Sequence, residues 1–179
     1  YILMGYKSNV IKKYFKNCKK LNKPFIFKLN NNFCKITLLE TGKRTMTGGR
    51  LKKMIPFLKN DEKFMFTYGD GIANVDLKKL KKFHLKHNKL ITVTAVRPQA
   101  RFGELKINNS IVTAFKEKPQ TRSSWINGGF FVADKKFLNF IDSPKTILEK
   151  KPLEIAAKKK HLLAFKPVSY THLRAHETR

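Results

Sequence analysis

Phe64-Met65-Phe66-Thr67-Tyr68-Gly69-Asp70-Gly71 is the stretch on which the reading of this chain turns. Phe64 to Thr67 reads as a buried hydrophobic strand, and Asp70 stands just past its carboxyl end between two glycines. In open α/β sheets, ligands bind beyond the carboxyl ends of the strands. A carboxylate delivered there, with glycines that let other groups come close, suits a Mg²⁺ that carries nucleotide phosphates. Gly-Asp-Gly is also ordinary turn chemistry, so the rest of the chain must decide between the two.

Working outward, strands alternate with helices. Ser8 is placed to cap a helix whose apolar face is Val10, Ile11, Tyr14, Phe15 and Cys18. Phe25–Phe27 and Phe33–Leu39 read as strands joined by a turn at Asn30-Asn31-Asn32. Thr47-Gly48-Gly49-Arg50 opens a helix with Leu51, Met54, Ile55 and Leu58 on one stripe. After the Phe64 strand, a helix from about Asp76 carries Leu77, Leu80 and Phe83, and Leu90–Val96 is a continuous apolar strand. This alternation predicts an α/β fold with a doubly wound, mostly parallel sheet. Beyond Pro98 shorter strands follow at Gly103–Ile107, Ile111–Phe115 and Ile126–Val132, with a hairpin turn at Asn108-Asn109. A helix over Ile147–Lys159, containing Pro152, and a strand at His161–Phe165 complete the pattern.

The chain has 179 residues, 41% of them hydrophobic, enough for one sizeable core. No apolar run approaches the ~20 residues that span a bilayer, and the opening Tyr1–Gly5 reads as a strand met midway, with the native N-terminus expected upstream. Cys18 and Cys34 form no zinc or disulfide pattern and are expected as free thiols in a cytoplasmic protein. The net charge of +27 invites a nucleic-acid reading. Yet 32 of the 39 basic residues are Lys, spread along the chain, whereas base reading favours Arg. Abundant Lys, Asn, Ile and Phe also share A/T-rich codons, so the charge is expected to attract polyanions only in low salt. His84 and His87 read as edge-of-core residues. His172 and His176 lack a third metal ligand. Residues 167–179 break with the composition of the first 166 and resemble a translated sequencing adapter, so residues 1–166 are taken as the domain, itself partial.

Five segments carry chemistry. Thr47-Gly48-Gly49 offers backbone N–H groups at a helix start, where anions bind, or simply a helix terminus. Asp70 offers metal coordination. Gly103, in Arg101-Phe102-Gly103, permits close approach of a small ligand or marks a bulge. Glu117-Lys118-Pro119 supplies an acceptor for sugar hydroxyls and a cation for phosphate, or a solvated ion pair at a strand end. Asn127, with Gly128 and Gly129, sets an amide in an apolar strand, where it needs polar partners.

In this order, Thr-Gly-Gly-Arg-Leu, Phe-Thr-Tyr-Gly-Asp-Gly, Thr-Val-Thr-Ala-Val, Arg-Phe-Gly, Phe-Lys-Glu-Lys-Pro and Trp-Ile-Asn-Gly-Gly-Phe-Phe-Val resemble the glucose-1-phosphate cytidylyltransferases, a branch of the sugar-phosphate nucleotidyltransferases. The resemblance covers residues 1 to 166. It implies the Rossmann-like nucleotide-diphospho-sugar transferase fold, here incomplete, and the joining of CTP to α-D-glucose 1-phosphate. Asp70 would be a catalytic Mg²⁺ ligand and Lys118 a catalytic phosphate contact. Glu117 and Asn127 would hold glucose hydroxyls, with Gly103 and Gly128 alongside, and Thr47, Gly48 and Gly49 near the nucleotide. A homo-oligomer and a role in polysaccharide precursors are further implications, with no membrane or specific nucleic acid as partner. The sequence departs from the family in lacking its Gly-Gly-x-Gly-Thr-Arg loop and its Met-Asp metal segment. The chain alone is therefore expected to be inactive. A UTP- or dTTP-using relative of the same fold, or a non-catalytic basic polyanion-binding module, are the competing readings.

Overall fold

The computed structural model describes residues 1–15, 21–97, 104–108, 110–116, 125–167 and 174–175. The first elements are β1 (Ile2–Met4), α1 (Ser8–Tyr14), β2 (Pro24–Leu29), β3 (Asn32–Glu40), α2 (Thr47–Lys52) and α3 (Ile55–Leu58). Then come β4 (Lys63–Thr67), β5 (Gly71–Ile72), α4 (Leu77–Leu85), β6 (Ile91–Val96), β7 (Glu104–Asn108), β8 (Ile111–Lys116) and β9 (Ile126–Asp134). A 3₁₀ segment (Lys135–Phe140), α5 (Lys151–Lys158), β10 (Leu162–Phe165) and β11 (Arg174–Ala175) follow. The chain divides into two compact units, one of residues Tyr1–Glu62 and Lys135–Lys159, the other of Lys63–Asp134 and Lys160–Arg179.

The first unit is built on a three-stranded sheet in the order β1-β3-β2, with β1 parallel and β2 antiparallel to β3. The β2–β3 hairpin turns where the asparagines predict it, and Asn30 takes the left-handed conformation (φ 53°) that asparagine tolerates. Met4, Leu38, Leu39, Leu51, Met54, Leu58, Phe137, Leu138 and Ile141 form its core. Ile55, expected on the same stripe, is 36% exposed. Ser8 does not cap α1. Lys7 occupies the cap position at φ 58°, and the Ser8 N–H donates to the Gly5 carbonyl, which pulls Ser8 into the first turn. Of the apolar face expected of α1, Val10 and Tyr14 are 66% and 65% exposed, whereas Ile11 and Phe15 are half-buried and Phe15 packs its ring on Phe25 and Phe27 of β2. Cys18 lies outside the described residues, and Cys34 is a free, half-buried thiol in β3. Pro152 falls in the first turn of α5, where its missing N–H is no loss.

The second unit carries a four-stranded sheet in the order β10-β6-β9-β4. β10 runs parallel to β6, whereas β9 is antiparallel to both β6 and β4. The α/β class holds, and the sheet is mixed. β4 is an edge strand in which Phe64 and Phe66 are half-buried and Met65 is 40% exposed, so the fully buried strand expected there is a half-buried one. Asp76 caps α4 by accepting from the Lys79 N–H at 2.9 Å, and Leu80 and His84 on that helix are fully buried. His84 is thus a core residue rather than an edge one. Two-stranded ladders pair β7 with β8, after a turn in which Ser110 has φ 70°, and β11 with β5. No helix among the described residues is long and apolar enough to cross a membrane.

Candidate active site

In the second unit, β4, β6 and β10 point the same way, so their carboxyl ends share an edge with the amino end of β9. The register shows this: Thr67 pairs with Phe130, Val96 with Ile126 and Phe165 with Thr94. That edge is where an open α/β sheet places ligands. Asp70 lies there, exposed, in the turn between β4 and β5. The glycines beside it are not demanded by protein packing. Among the described residues, a Cβ at Gly69 would meet nothing within 4 Å, and one at Gly71 only the Tyr68 carbonyl at 4.0 Å.

Asn127 enters the same edge at the start of β9. Between Val93 and Ala95 of β6 the pairing jumps from Phe131 to Asn127, a bulge formed through Gly128 and Gly129. Bulges re-aim side chains next to functional sites. Here Gly129 has φ 76°, and a Cβ at Gly128 would stand 2.8 Å from the Thr94 carbonyl oxygen, so neither position accommodates a side chain. The Asn127 Nδ2 donates to the Tyr68 hydroxyl at 3.1 Å, and its Oδ1 accepts from the Gly129 N–H at 2.8 Å. Beside it, the Trp125 ring carries the Arg97 guanidinium at 4.7 Å and the Lys166 ammonium at 5.0 Å, which makes this edge cationic.

Thr47, Gly48 and Gly49 belong to the first unit, where their own chain occupies them. Thr47 Oγ1 accepts from the Leu148 N–H and donates to Glu149, both at 2.9 Å. The Gly49 N–H donates to the Thr146 carbonyl and the Met46 N–H to that of Pro144. Both glycines are buried. A Cβ at Gly48 would lie 2.8 Å from the Thr146 oxygen, and one at Gly49 would lie 2.6 Å from the Pro144 Cα. The neighbouring Arg50 covers Gly5, where any side chain would overlap the guanidinium, and donates to Thr41 Oγ1 at 2.7 Å. Thr41 in turn donates to the Met4 carbonyl at 2.6 Å, and its own carbonyl accepts from Thr45 and Lys53.

Of the residues singled out from sequence, Gly103, Glu117 and Lys118 lie outside the described residues. Asn127 and the loop leading to Asp70 are brought together through Tyr68. Sequence reading passed over Tyr68 and Arg50. The signals were present: an aromatic hydroxyl directly after a strand, and a guanidinium directly after paired glycines. Among the described residues no group of three or more His, Cys, Asp or Glu gathers as a ready-made metal site. One exposed carboxylate on an open loop fits Mg²⁺, which binds through one or two carboxylates and takes the rest of its shell from waters and substrate phosphates.

Comparison with known proteins is consistent with this geometry. A family model described as nucleotidyl transferase matches residues 1–174. The chain is 41% identical over 174 residues to the glucose-1-phosphate cytidylyltransferase of Salmonella typhimurium, covering 92% of this chain and 68% of that protein. It is 36% identical over 93 residues to a D-glycero-alpha-D-manno-heptose 1-phosphate guanylyltransferase of Aneurinibacillus thermoaerophilus, covering 50% of this chain and 39% of that one. Among solved structures, HddC from Yersinia pseudotuberculosis superposes with a TM-score of 0.60 at 21% identity, covering 93% and 68% of the two chains.

Proposed function

Because the chain belongs to the nucleotidyl transferase family, in its glucose-1-phosphate cytidylyltransferase branch, we propose that it serves the transfer of a cytidylyl group from CTP to α-D-glucose 1-phosphate. CDP-glucose and diphosphate are the products. The observation that carries this reading is the pairing of the Asp70 loop with the Asn127 amide at the carboxyl edge of the sheet, through the Tyr68–Asn127 bond.

A sugar-phosphate oxygen attacks the α-phosphorus of CTP in line, and diphosphate departs. Such transfers depend on positioning and on neutralising charge. Asp70 would hold a Mg²⁺, which would supply charge neutralisation at the nucleotide phosphates. Lys118 adds a fixed positive charge beside a phosphate. Asn127 and Glu117 hydrogen-bond the glucose hydroxyls, with Gly103 against the ring and Gly128, in the bulge, aiming Asn127. CDP-glucose then feeds polysaccharide precursors, and the working form is a cytoplasmic homo-oligomer.

The glycine-rich phosphate loop of the family is not in this sequence, so binding is tested before turnover. Calorimetric titration with α-D-glucose 1-phosphate, and with CTP in the presence and absence of Mg²⁺, is expected to give saturable binding of both. CTP binding should depend on Mg²⁺ and outcompete UTP, dTTP and GTP. Preference for another nucleotide would reassign the base while keeping the reaction. Binding that ignores nucleotide identity and falls steeply with salt would instead mark a polyanion-binding module.

A further inference from the structure

Two bonds fix the Asn127 carboxamide. A backbone N–H can only donate, so the amide atom 2.8 Å from the Gly129 nitrogen is Oδ1. Nδ2 therefore faces Tyr68 and donates to its hydroxyl oxygen at 3.1 Å. Turning the amide over would set two donors against each other at Gly129. The polarity is determined by Gly129, and the remaining swing of the amide is restrained by Tyr68.

Tyr68 is itself held from both sides. A Cβ at Gly129 would lie 2.9 Å from Tyr68 Cδ2, so the ring sits flush against the backbone of the bulge. Its edge meets Phe131 at 5.7 Å and 88°, and Phe131 is fully buried and stacks on Phe66 at 4.5 Å. A rigid pair of strands thus reaches the exposed Asn127 side chain through one phenol.

We infer that Tyr68 is a positioning residue: with the left-handed Gly129 it clamps the Asn127 amide so that the amide's second N–H and second oxygen lone pair meet neighbouring hydroxyls of the sugar phosphate. This rests on the reading of Asn127 as a sugar contact. The terminal torsion of an exposed asparagine is broad, and ordering it on binding weakens affinity. A clamped amide is ordered beforehand. Its donor and acceptor lie side by side in one plane, which suits two adjacent hydroxyls of a hexose better than a single hydroxyl.

The test uses the 179-residue chain with Tyr68→Phe, which keeps the ring against Phe131 and Gly129 and removes only the hydroxyl. In ¹⁵N-labelled protein, the Asn127 side-chain NH₂ pair is assigned by its loss in Asn127→Ala. The clamp predicts an ordered pair in the wild type that shifts and becomes mobile in Tyr68→Phe. An unchanged pair overturns the inference. Titration with α-D-glucose 1-phosphate then completes a double-mutant cycle. Tyr68→Phe is expected to weaken binding about three- to tenfold when Asn127 is present. It should have no effect in the Asn127→Ala background and leave Mg²⁺-dependent CTP affinity unchanged. Equal losses in both backgrounds would mean that Tyr68 acts on its own and would overturn the inference. If the amide pair responds to Tyr68→Phe but Asn127→Ala leaves sugar-phosphate binding intact, the clamp stands and the sugar-site reading falls.

Discussion

The His84 imidazole and the Thr92 hydroxyl meet 2.9 Å apart where α4 faces β6, and the same hydroxyl meets a second histidine, His87. The Lys89 N–H donates to His87 Nδ1 at 3.1 Å, so His87 carries its proton on Nε2 and donates it to Thr92 Oγ1 at 3.0 Å. Thr92 Oγ1 also lies within hydrogen-bond distance of His84 Nδ1, and His84 Nε2 is buried without a hydrogen-bond partner among the described residues. A second proton on His84 would put a charge in a core. Burial first, then His87 and Lys63, lowers its pKa to about 4.

Stability should therefore follow pH in a definite direction. Between about pH 4 and 6.5 the unfolded chain binds a proton at His84 that the folded chain refuses, so stability rises with pH across that window. The effect is complete above 6.5 and amounts to about 3 kcal/mol. Urea unfolding from pH 4 to 7 should show the slope, and His84→Leu should flatten it. An identical slope in the variant would remove His84 as its source.

Glycine substitutions should separate packing from ligand space. Gly49→Ala drives a methyl group into the Pro144 backbone and is expected to destabilise by at least about 2 kcal/mol. Gly69→Ala meets none of the described residues and should change stability by less than about 0.5 kcal/mol. If its loop is a binding surface, Gly69→Ala should nonetheless weaken nucleotide binding. Thermal melts and calorimetry on the same samples check both.

Thr47 links two segments through its hydroxyl. Thr47→Val leaves the N–H of buried Leu148 without its acceptor, at a cost of about 1–3 kcal/mol, whereas Thr47→Ser keeps both bonds and most of the stability. Equal melting temperatures for the two variants would discount the hydroxyl.

Asp70→Asn should leave the melting temperature within about a degree or two of the wild type, because the side chain is exposed. Mg²⁺-dependent CTP binding should drop by about tenfold or more, with glucose 1-phosphate binding retained. Retained Mg²⁺ dependence would move the metal elsewhere.

The features legible in sequence were the local ones. The asparagine turn between β2 and β3, the start of α4 next to Asp76 and the strand ending at Thr67 each depend on a few adjacent residues, and each is where the pattern puts it. The status of β4 as an edge strand was not legible. Phe64-Met65-Phe66 is apolar throughout, and a short apolar run does not reveal how many neighbours it has. The contact between Tyr68 and Asn127 spans 59 residues and requires the β4–β9 register, which no local signal encodes. The partner of α1 has the same origin: its periodicity is real, but periodicity does not say that Phe15 meets Phe25 and Phe27 of β2.

The cradle around Gly48 and Gly49 also sets an order of events during synthesis. Its two halves, joined by the Thr47–Leu148 bond, are 101 residues apart, and the whole strand run from β4 to β9 is made between them. At ribosomal speeds of about 5–20 residues per second, Thr47 is made roughly 5–20 s before Leu148. The β2–β3 hairpin can pair as soon as it leaves the tunnel. The two glycines must wait, their backbone uncovered, until Pro144 and Thr146 arrive from the far side of an insertion that has already begun to fold.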